Sequence, residues 1–221
     1  MIPKKLSEPP HDCPLCPRLH HFIAEWRERE PQWFNGPVPT FSSRDGDESV
    51  RVLVVGLAPG LRGANRTGRP FTGDYAGELL YATLKRFGFS TGEFQARPDD
   101  GVELIGAALT NAVRCVPPEN KPVGAEVNTC RSFLKLTIER FRNLQAIVTL
   151  GTIAHQSTIR ALGQRVSDFP FSHGGQGKIG NVSVFSSYHC SRYNTNTGRL
   201  TEEMFVDVFK SVANYLGERS N

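Results

Sequence analysis

The sequence predicts a three-layer α/β/α sandwich built on a central parallel sheet of about four strands. Short apolar runs rich in β-branched residues alternate along the chain with longer segments whose apolar residues recur at helical spacing. Such alternation is typical of βαβ units, in which the strands pair in parallel and the helices cover both faces of the sheet. No internal repeat interrupts the pattern, so we expect one domain over residues 1–221.

The predicted elements follow from local patterns along the chain. Residues 1–12 are polar with three prolines and are expected to be extended. The predicted order after them is helix 17–30, strand 51–55, helix 75–87, strand 102–113, helix 124–141, strand 145–150, helix 151–162, strand 181–187 and helix 201–216. The segments between these elements, including residues 163–180 and 189–199, are rich in Gly, Pro or polar residues and are predicted to be loops.

Helix positions are predicted from the spacing of apolar residues, and helix ends from proline and capping residues. Apolar side chains recur at helical spacing in the sets Leu19–Phe22–Ile23–Trp26, Leu79–Leu80–Leu84–Phe87, Phe133–Leu134–Ile138–Phe141 and Phe205–Val208–Phe209–Val212. Pro17 is an acceptable first helical residue, and Pro31 ends the same helix. Thr201 can cap the last helix.

Composition narrows the class of protein. Apolar residues make up 38% of the 221 residues, and 14 are Phe, which is enough for a core and for ring stacking. The net charge of +4 and the pI of about 8.9 are consistent with a polyanionic partner. No apolar run approaches the length of a membrane span, and the amino terminus lacks a hydrophobic signal core. We therefore expect a cytoplasmic protein, and we expect it to be a monomer.

The loop at residues 56–74, GLAPGLRGANRTGRPFTGD, lies between a predicted strand and a predicted helix. Ligands of open α/β sheets bind at this kind of position. The loop has neither the Gly-Lys-Ser/Thr ending of a Walker A loop nor the GxGxxG dinucleotide fingerprint. Five glycines, three arginines (Arg62, Arg66 and Arg69) and Phe71 instead suit a planar base stacked on the ring beside a phosphate backbone.

GLAPG followed by NRTGRPFTGD resembles the first motif of the uracil-DNA glycosylase superfamily in its family-5 form. The related family-4 enzymes have an acidic residue where this chain has Leu57. The resemblance covers residues 13–200 through four separated motifs. It implies a DNA repair enzyme that flips uracil out of DNA and hydrolyses the N-glycosidic bond, leaving an abasic site. Family-5 members also accept hypoxanthine and xanthine. No lysine occupies the motif, so no covalent intermediate is implied.

Four of the five cysteines form a candidate ligand set. Cys13 and Cys16 make a Cys-x2-Cys pair, Cys115 follows the second predicted strand, and Cys130 lies in the next predicted helix. Four thiolates can hold a zinc ion or an iron–sulfur cluster, and the spacing leaves both open. Taken singly, Cys130 would be interpreted as a buried core residue.

The resemblance favours the cluster. Family-4 and family-5 glycosylases carry a 4Fe–4S cluster on a Cys-x2-Cys pair and two later cysteines, one of them in an Arg/Lys-Cys-x-Pro-Pro context. Residues 114–118, Arg-Cys-Val-Pro-Pro, match that context. The resemblance thus implies a structural cluster that ties the first helix to the Pro-rich turn, with no role in the chemistry. Cys190 stands where the family more usually has proline and is not expected to be a ligand.

The segment 189–198 resembles the last motif of the family, in which a histidine and a serine lead a DNA-intercalating loop. By this resemblance His189 would donate a hydrogen bond to O2 of the departing uracil; an isolated histidine there would more often bond to backbone. Arg192 and Tyr193 could fill the space left by the flipped nucleotide, or they could form an ordinary polar surface loop. Ser191 could bind a phosphate or cap a turn.

Asn111 and Asp74 complete the candidate site. An Asn amide offers an acceptor and two donors, so Asn111 can read N3–H and O4 of uracil together; otherwise it would end the strand by bonding to the turn. Asp74 is a candidate N-cap for the helix at residue 75. In family-5 enzymes the matching aspartate is the usual candidate for the hydrolytic step. Backbone amides near Gly56 and Leu57 are expected to hold O2 of the base.

Two other functions use the same residues. A non-enzymatic nucleic-acid-binding protein with a structural metal or cluster would need the arginines and Phe71 but neither Asp74 nor His189. A nucleotide hydrolase would need a carboxylate cluster for Mg²⁺, and the loop at residues 56–74 has only Asp74.

Overall fold

The structure is a computed structural model that describes residues 7–73 and 75–218. Its strands are β1 (Val52–Gly56), β2 (Ser90–Thr91), β3 (Glu103–Leu104), β4 (Ala107–Asn111), β5 (Ala146–Leu150), β6 (Gln176–Ile179) and β7 (Val182–Ser187). Its helices are α1 (Pro17–Arg29), α2 (Ala64–Thr67), α3 (Tyr75–Arg86), α4 (Gly124–Arg140), α5 (Thr152–Ala161), α6 (Arg192–Asn196) and α7 (Glu202–Glu218). Within these residues, no helix is both long and apolar enough to cross a lipid bilayer.

The central sheet confirms the predicted fold class. Its strand order is β4–β1–β5–β7–β6, and β4, β1, β5 and β7 pair in parallel. Side chains of β1 alternate between two cores. Val52 and Val54 pack in the layer that contains α3 and α7, and Leu53 and Val55 pack in the layer that contains α4 and α5. A strand covered on both faces has no polar side, which is why β1 is a continuous apolar run in the sequence.

The fifth strand, β6, was not predicted, because residues 163–180 have the composition of a loop. β6 pairs antiparallel with β7 at the edge of the sheet. Its side chains alternate between exposed and half-buried positions, and the exposed ones are Gln176 and Lys178. An edge strand needs only one apolar face and is protected by charge on the other, so it carries a weak sequence signal.

Three further segments differ from the prediction. The single strand expected at residues 102–113 is divided into β3 and β4 at Gly106, whose φ of 60° interrupts the extended backbone. β3 pairs with β2, so the connection at residues 90–101 is closed by a short antiparallel ladder. The short helices α2 and α6 lie in the segments predicted as loops after β1 and β7.

α1 lies outside the three layers and packs on α4. Leu19 joins Val127 and Phe133 in a third apolar cluster. The Arg18 guanidinium donates two hydrogen bonds to Glu126, each 2.8 Å long. α1 is therefore fixed to the body of the fold by both packing and a bidentate ion pair.

The carboxyl ends of the parallel strands meet at one edge of the sheet. Gly56 and Asn111 are paired neighbours at the ends of β1 and β4. The chain passes from β1 to β4 on one side and from β5 to β7 on the other. Such a reversal of direction leaves a crevice at the strand ends, where open α/β sheets bind their ligands.

Candidate active site

A cavity of about 510 Å³ opens at this edge. It is lined by residues from the loop after β1, the end of β4, the Pro-rich turn and the segment after β7: Leu57, Ala58, Pro59, Gly60, Leu61, Arg62, Gly63, Ala64, Phe71, Gly73, Asn111, Asn120, His189 and Ser191. The structure thus brings together side chains that lie more than a hundred positions apart in the sequence. The cavity is large enough for a single nucleobase.

Phe71 is held in an unusual backbone conformation. Its φ is 56°, a left-handed value that costs a bulky residue on the order of 1–3 kcal/mol. The surrounding contacts compensate: the Tyr81 hydroxyl donates to the carbonyl of Pro70 at 2.9 Å. A Cβ on Gly77 would lie 2.0 Å from the Phe71 carbonyl oxygen, so only glycine lets α3 approach this closely. The ring is therefore positioned before any ligand enters.

Gly56 allows the two candidate base-recognition side chains to converge. A Cβ at this position would lie 2.4 Å from Oδ1 of Asn111 and 2.5 Å from Cζ of Phe71. Asn111 is only 4% exposed and lies at the wall of the cavity. The absence of a side chain at Gly56 is therefore a geometric requirement of this arrangement.

His189 is half-buried where the chain leaves β7 and lines the same cavity. Burial lowers the pKa of His189 to about 4, because the imidazolium would lose its hydration. The ring is therefore neutral at physiological pH and can donate one N–H hydrogen bond. The side-chain amide of Asn194 donates to the His189 carbonyl at 2.8 Å, which fixes the backbone of this turn.

The three arginines of the loop after β1 are not equivalent. Arg62 and Arg66 are exposed, and Arg62 lines the cavity. Arg69 is 5% exposed, and its Nη1 and Nη2 atoms donate to the two carboxylate oxygens of Asp100 at 2.8 and 2.7 Å. The assignment of Arg69 as a DNA contact is therefore corrected: its guanidinium is enclosed within the protein, and we leave it out of the DNA-contacting set.

The segment after His189 forms the short helix α6. Ser191 is its N-cap and accepts a hydrogen bond from the Asn194 backbone amide at 3.4 Å. Arg192 lies 5.6 Å from the centre of the Tyr75 ring, and Tyr193 is 73% exposed. A large aromatic side chain exposed this fully beside a cavity is available to a partner.

Asp74, the candidate for the hydrolytic step, lies outside the described residues. Asn120 lines the cavity but was missed by the sequence analysis. It ends the 3-10 turn Pro118–Asn120 with a φ of 58°. No spacing relates it to the other site residues, and its turn was predicted only as a rigid connection.

The four candidate ligand cysteines line one small cavity. Its other walls are mostly apolar and include Leu15, Leu19, Val113 and Phe133. Cys13 and Cys16 precede α1, Cys115 follows β4, and Cys130 is in α4. All five cysteines of the chain are described, and none forms a disulfide. Across residues 7–73 and 75–218, no group of three or more His, Cys, Asp or Glu side chains is arranged to hold a single metal ion.

The donor set nevertheless suits a larger soft-ligand group. It consists of four thiols, which is the set that iron–sulfur clusters use. The Arg114 backbone amide donates to Sγ of Cys130 at 3.3 Å, as amides do to cluster thiolates. Burial raises the pKa of the Cys130 thiol to about 11 and also raises that of Cys115. Thiolates there would need the positive charge of a bound metal group.

Comparison with known proteins gives consistent matches. The family model described as the uracil DNA glycosylase superfamily matches residues 43–213. A type-5 uracil-DNA glycosylase of Thermus thermophilus is 41% identical over 216 residues, which cover 93% of this chain and 94% of the relative. Proteins of the same name from Pyrobaculum aerophilum and Mycobacterium leprae are each 39% identical, covering 91% and 93% of this chain and 88% and 92% of their own lengths.

Proposed function

Because the chain belongs to the uracil-DNA glycosylase superfamily and to its type-5 family, we propose that it is a DNA repair glycosylase that removes uracil from DNA. The observation that carries the proposal is the convergence of Phe71, Asn111 and His189 on one cavity at the carboxyl edge of the sheet. These side chains supply a stacking ring, an amide that can read a base edge and a neutral hydrogen-bond donor. The reaction hydrolyses the N-glycosidic bond and leaves an abasic site.

Base recognition requires the nucleotide to leave the helical stack. Rotation of one nucleotide out of a duplex costs a few kcal/mol, and less when the base is mispaired. We propose that uracil then stacks on Phe71 and that the Asn111 amide accepts from N3–H and donates to O4. We propose that backbone amides near Gly56 and Leu57 hold O2; Leu57 lines the cavity, and Gly56 pairs with Asn111 at the ends of their strands.

Cleavage of the N-glycosidic bond separates charge, and we propose one side chain to stabilise each sign. As the bond between C1′ and N1 breaks, the sugar becomes cationic and the uracil leaves as an anion. The neutral His189 ring would donate to O2 of that anion, an oxyanion-hole effect in a desolvated site. Asp74 would stabilise the cationic sugar and position the attacking water, whose oxygen becomes the new hydroxyl at C1′ and whose proton returns to solvent or to the base.

DNA contacts surround the cavity. Arg62 and Arg66 are exposed and are proposed to bind phosphates. Arg192 and Tyr193 follow the cavity residue Ser191; Tyr193 would fill the space left by the flipped nucleotide, and Ser191 would contact the adjoining phosphate. A roomy, largely apolar cavity beside Leu57 would also accept hypoxanthine and xanthine. We propose further that the protein acts as a monomer.

We propose that Cys13, Cys16, Cys115 and Cys130 hold a 4Fe–4S cluster. When bound, the cluster supplies a structural crosslink between the start of α1, the turn after β4 and α4. That turn leads to Asn120 at the cavity wall, so the crosslink would also stabilise one side of the site. Thiolate ligands must stay reduced, which is the reason we place the protein in the cytoplasm.

Replacement of a single ligand should remove the cluster. We expect Cys115→Ser protein to lose its brown colour, its iron and its acid-labile sulfide, and to unfold at lower temperature. Cys190→Ser is the matched control, because Cys190 is buried elsewhere, with Sγ 3.5 Å from the Ala76 carbonyl oxygen. Metal analysis, sulfide assay and thermal melts check the prediction. Undiminished iron in the Cys115 variant, or stoichiometric zinc in the wild type, would contradict the cluster.

Uracil excision is the direct test of the proposed function. A labelled duplex with one G·U pair is incubated with the protein and then treated with alkali, which cuts abasic sites; duplexes containing hypoxanthine or xanthine run in parallel. We expect excision by the wild type and a loss of about 10²-fold or more in Asp74→Asn, since acid–base and positioning groups contribute that much. Asp168→Asn, on a separate 3-10 turn, is the control. Binding of all three duplexes without release of any base would instead support the non-enzymatic alternative.

A further inference from the structure

A second groove of about 460 Å³ lies beside the active-site cavity. It is bounded by the segment after α1, by α2 and by the connection before β3, and its lining residues include two aromatic rings and two arginines: Trp33, Phe34, Arg66 and Arg97. This pairing of rings with guanidinium groups is the composition used by surfaces that follow a nucleic-acid strand. Trp33, Phe34 and Arg97 have no part in the site described above.

The aromatic wall of the groove is built in advance of any ligand. Trp33 stacks on Trp26 with ring centroids 5.5 Å apart and planes 5° from parallel. Phe34 packs so closely over Gly68 that a Cβ there would lie 2.7 Å from its ring. The Asn65 side-chain amide donates to Oδ1 of Asn35 at 2.8 Å, which joins this wall to α2.

The opposite wall is also fixed. Asp100 accepts backbone amides from Gln95 at 3.0 Å and Val102 at 3.1 Å, and it pairs with the buried Arg69. The segment carrying Arg97 is therefore held as a defined loop. Rigid walls of this kind lower the entropic cost of binding.

The Arg66 side chain links the groove to the active-site cavity. Arg66 lines the groove, and one of its guanidinium nitrogens would be 3.4 Å from a Cβ on Gly73, which lines the cavity. Within the described residues Arg66 forms no ion pair. A strand whose extruded nucleotide fills the cavity would therefore pass Arg66 and reach the groove.

The charge of the groove favours an anion. Arg66 and Arg97 outnumber the one carboxylate of the lining, Asp99. Arg97 approaches Asp99 only at 3.8 Å, and its side chain is 59% exposed. Exposed pairs at this distance contribute little, so the guanidinium can turn to a phosphate without a large penalty.

We propose that this groove binds the DNA backbone next to the extruded nucleotide, with a phosphate between Arg66 and Arg97 and the adjoining sugar against Trp33 and Phe34. The inference rests on the proposed function, because it assumes that a DNA strand with one nucleotide in the active-site cavity continues into the groove. It adds a second anchoring point to the substrate, formed by residues that do not line the active-site cavity.

The test measures DNA affinity against salt for Arg97→Ala. The probe is a fluorescein-labelled duplex with a stable tetrahydrofuran abasic analogue opposite guanine. Each phosphate contact to duplex DNA contributes about 0.9 to the slope of log K against log salt, so we expect the slope to fall by about that amount. Arg165→Ala is the matched control, since Arg165 is 83% exposed and pairs with Asp168. We expect its slope to equal that of the wild type.

Tryptophan emission gives an independent readout. The chain has two tryptophans, so Trp26→Phe leaves Trp33 as the only one. We expect the emission of Trp33 to change when the duplex is added. If Arg97→Ala keeps the wild-type slope of log K against log salt, the proposal that DNA binds in the groove is wrong. Unchanged Trp33 emission at saturating DNA would contradict it equally. Failure of the wild type to release uracil, hypoxanthine or xanthine would overturn the proposed function instead, so the two failures are distinguishable.

Discussion

Gly56→Ala should lower kcat/KM for uracil excision by about 10²-fold, because displacement of recognition groups by about 1 Å has effects of that size. The new methyl group would lie 2.4 Å from Oδ1 of Asn111 and 2.5 Å from the ring of Phe71. Both distances are far below van der Waals contact, so both side chains must move. They are the groups proposed to read and to stack the base, and their displacement should impair the reaction more than any loss of surface charge.

The measurement is single-turnover excision from a G·U duplex, together with a thermal melt of each protein. Gly124→Ala is the matched control, because a Cβ at Gly124, at the start of α4, would meet no atom within 4 Å apart from its chain neighbours and the backbone of its own helix. We expect that variant to react and melt like the wild type. Excision at the wild-type rate by folded Gly56→Ala protein would show that the placement of Asn111 and Phe71 is not limiting.

The sequence predicted the elements whose signal is contained in their own residues. β1 is recognisable because both of its faces are buried, and α7 because Phe205, Val208, Phe209 and Val212 recur at helical spacing and all become buried. The convergence of Phe71, Asn111 and His189 was also predictable in outline, since each lies at the end of a strand or in the segment after it, and parallel strands end at one edge.

What the sequence could not predict depends on contacts between distant segments. β6 is a strand only because β7 offers it an edge. Asn120 reaches the cavity through a turn whose course depends on tertiary packing. The residues around Arg69 in the sequence carry no signal that separates it from Arg62 and Arg66. Its burial follows from Asp100, 31 positions later in the chain.

Arg69→Ala should destabilise the protein by about 3–5 kcal/mol, the usual effect of removing one partner from a buried ion pair. The Asp100 side chain is fully buried, so its carboxylate would lose its counter-ion without gaining water. The substitution also removes contacts with two aromatic rings, because the guanidinium carbon lies 5.3 Å from the centre of the Tyr81 ring and 5.7 Å from that of Phe94. At roughly 2–4 °C per kcal/mol for a chain of this size, Tm should fall by about 6–20 °C.

Arg44→Ala is the matched control, because it removes an exposed ion pair instead of a buried one. Arg44 pairs with Glu103 at 3.0 Å, but the two side chains are 47% and 52% exposed. We expect that variant to lose less than about 1 kcal/mol, as exposed pairs do. Denaturant titration of both variants and the wild type checks the difference. A smaller loss for Arg69→Ala than for Arg44→Ala would contradict a structural role for the buried pair.

The same pair should make stability depend on pH. Burial alone would raise the pKa of Asp100, but hydrogen bonds from Arg69 and from the Gln95 and Val102 amides outweigh it and hold the pKa below its ordinary value. A depressed carboxyl pKa stabilises the fold above the unfolded value of about 4, and this contribution is lost as pH falls below it. The stability difference between wild type and Asp100→Asn should therefore shrink below about pH 4.

Salt dependence separates the structural role of Arg69 from a DNA contact. A buried guanidinium neutralises no phosphate, so Arg69→Ala should keep the wild-type slope of log K against log salt even while its Tm falls. Arg66→Ala should do the reverse, keeping its Tm and losing about 0.9 of slope, because Arg66 is exposed and lines the groove. A folded Arg69→Ala protein with wild-type Tm and a reduced slope would return Arg69 to the DNA-contacting set.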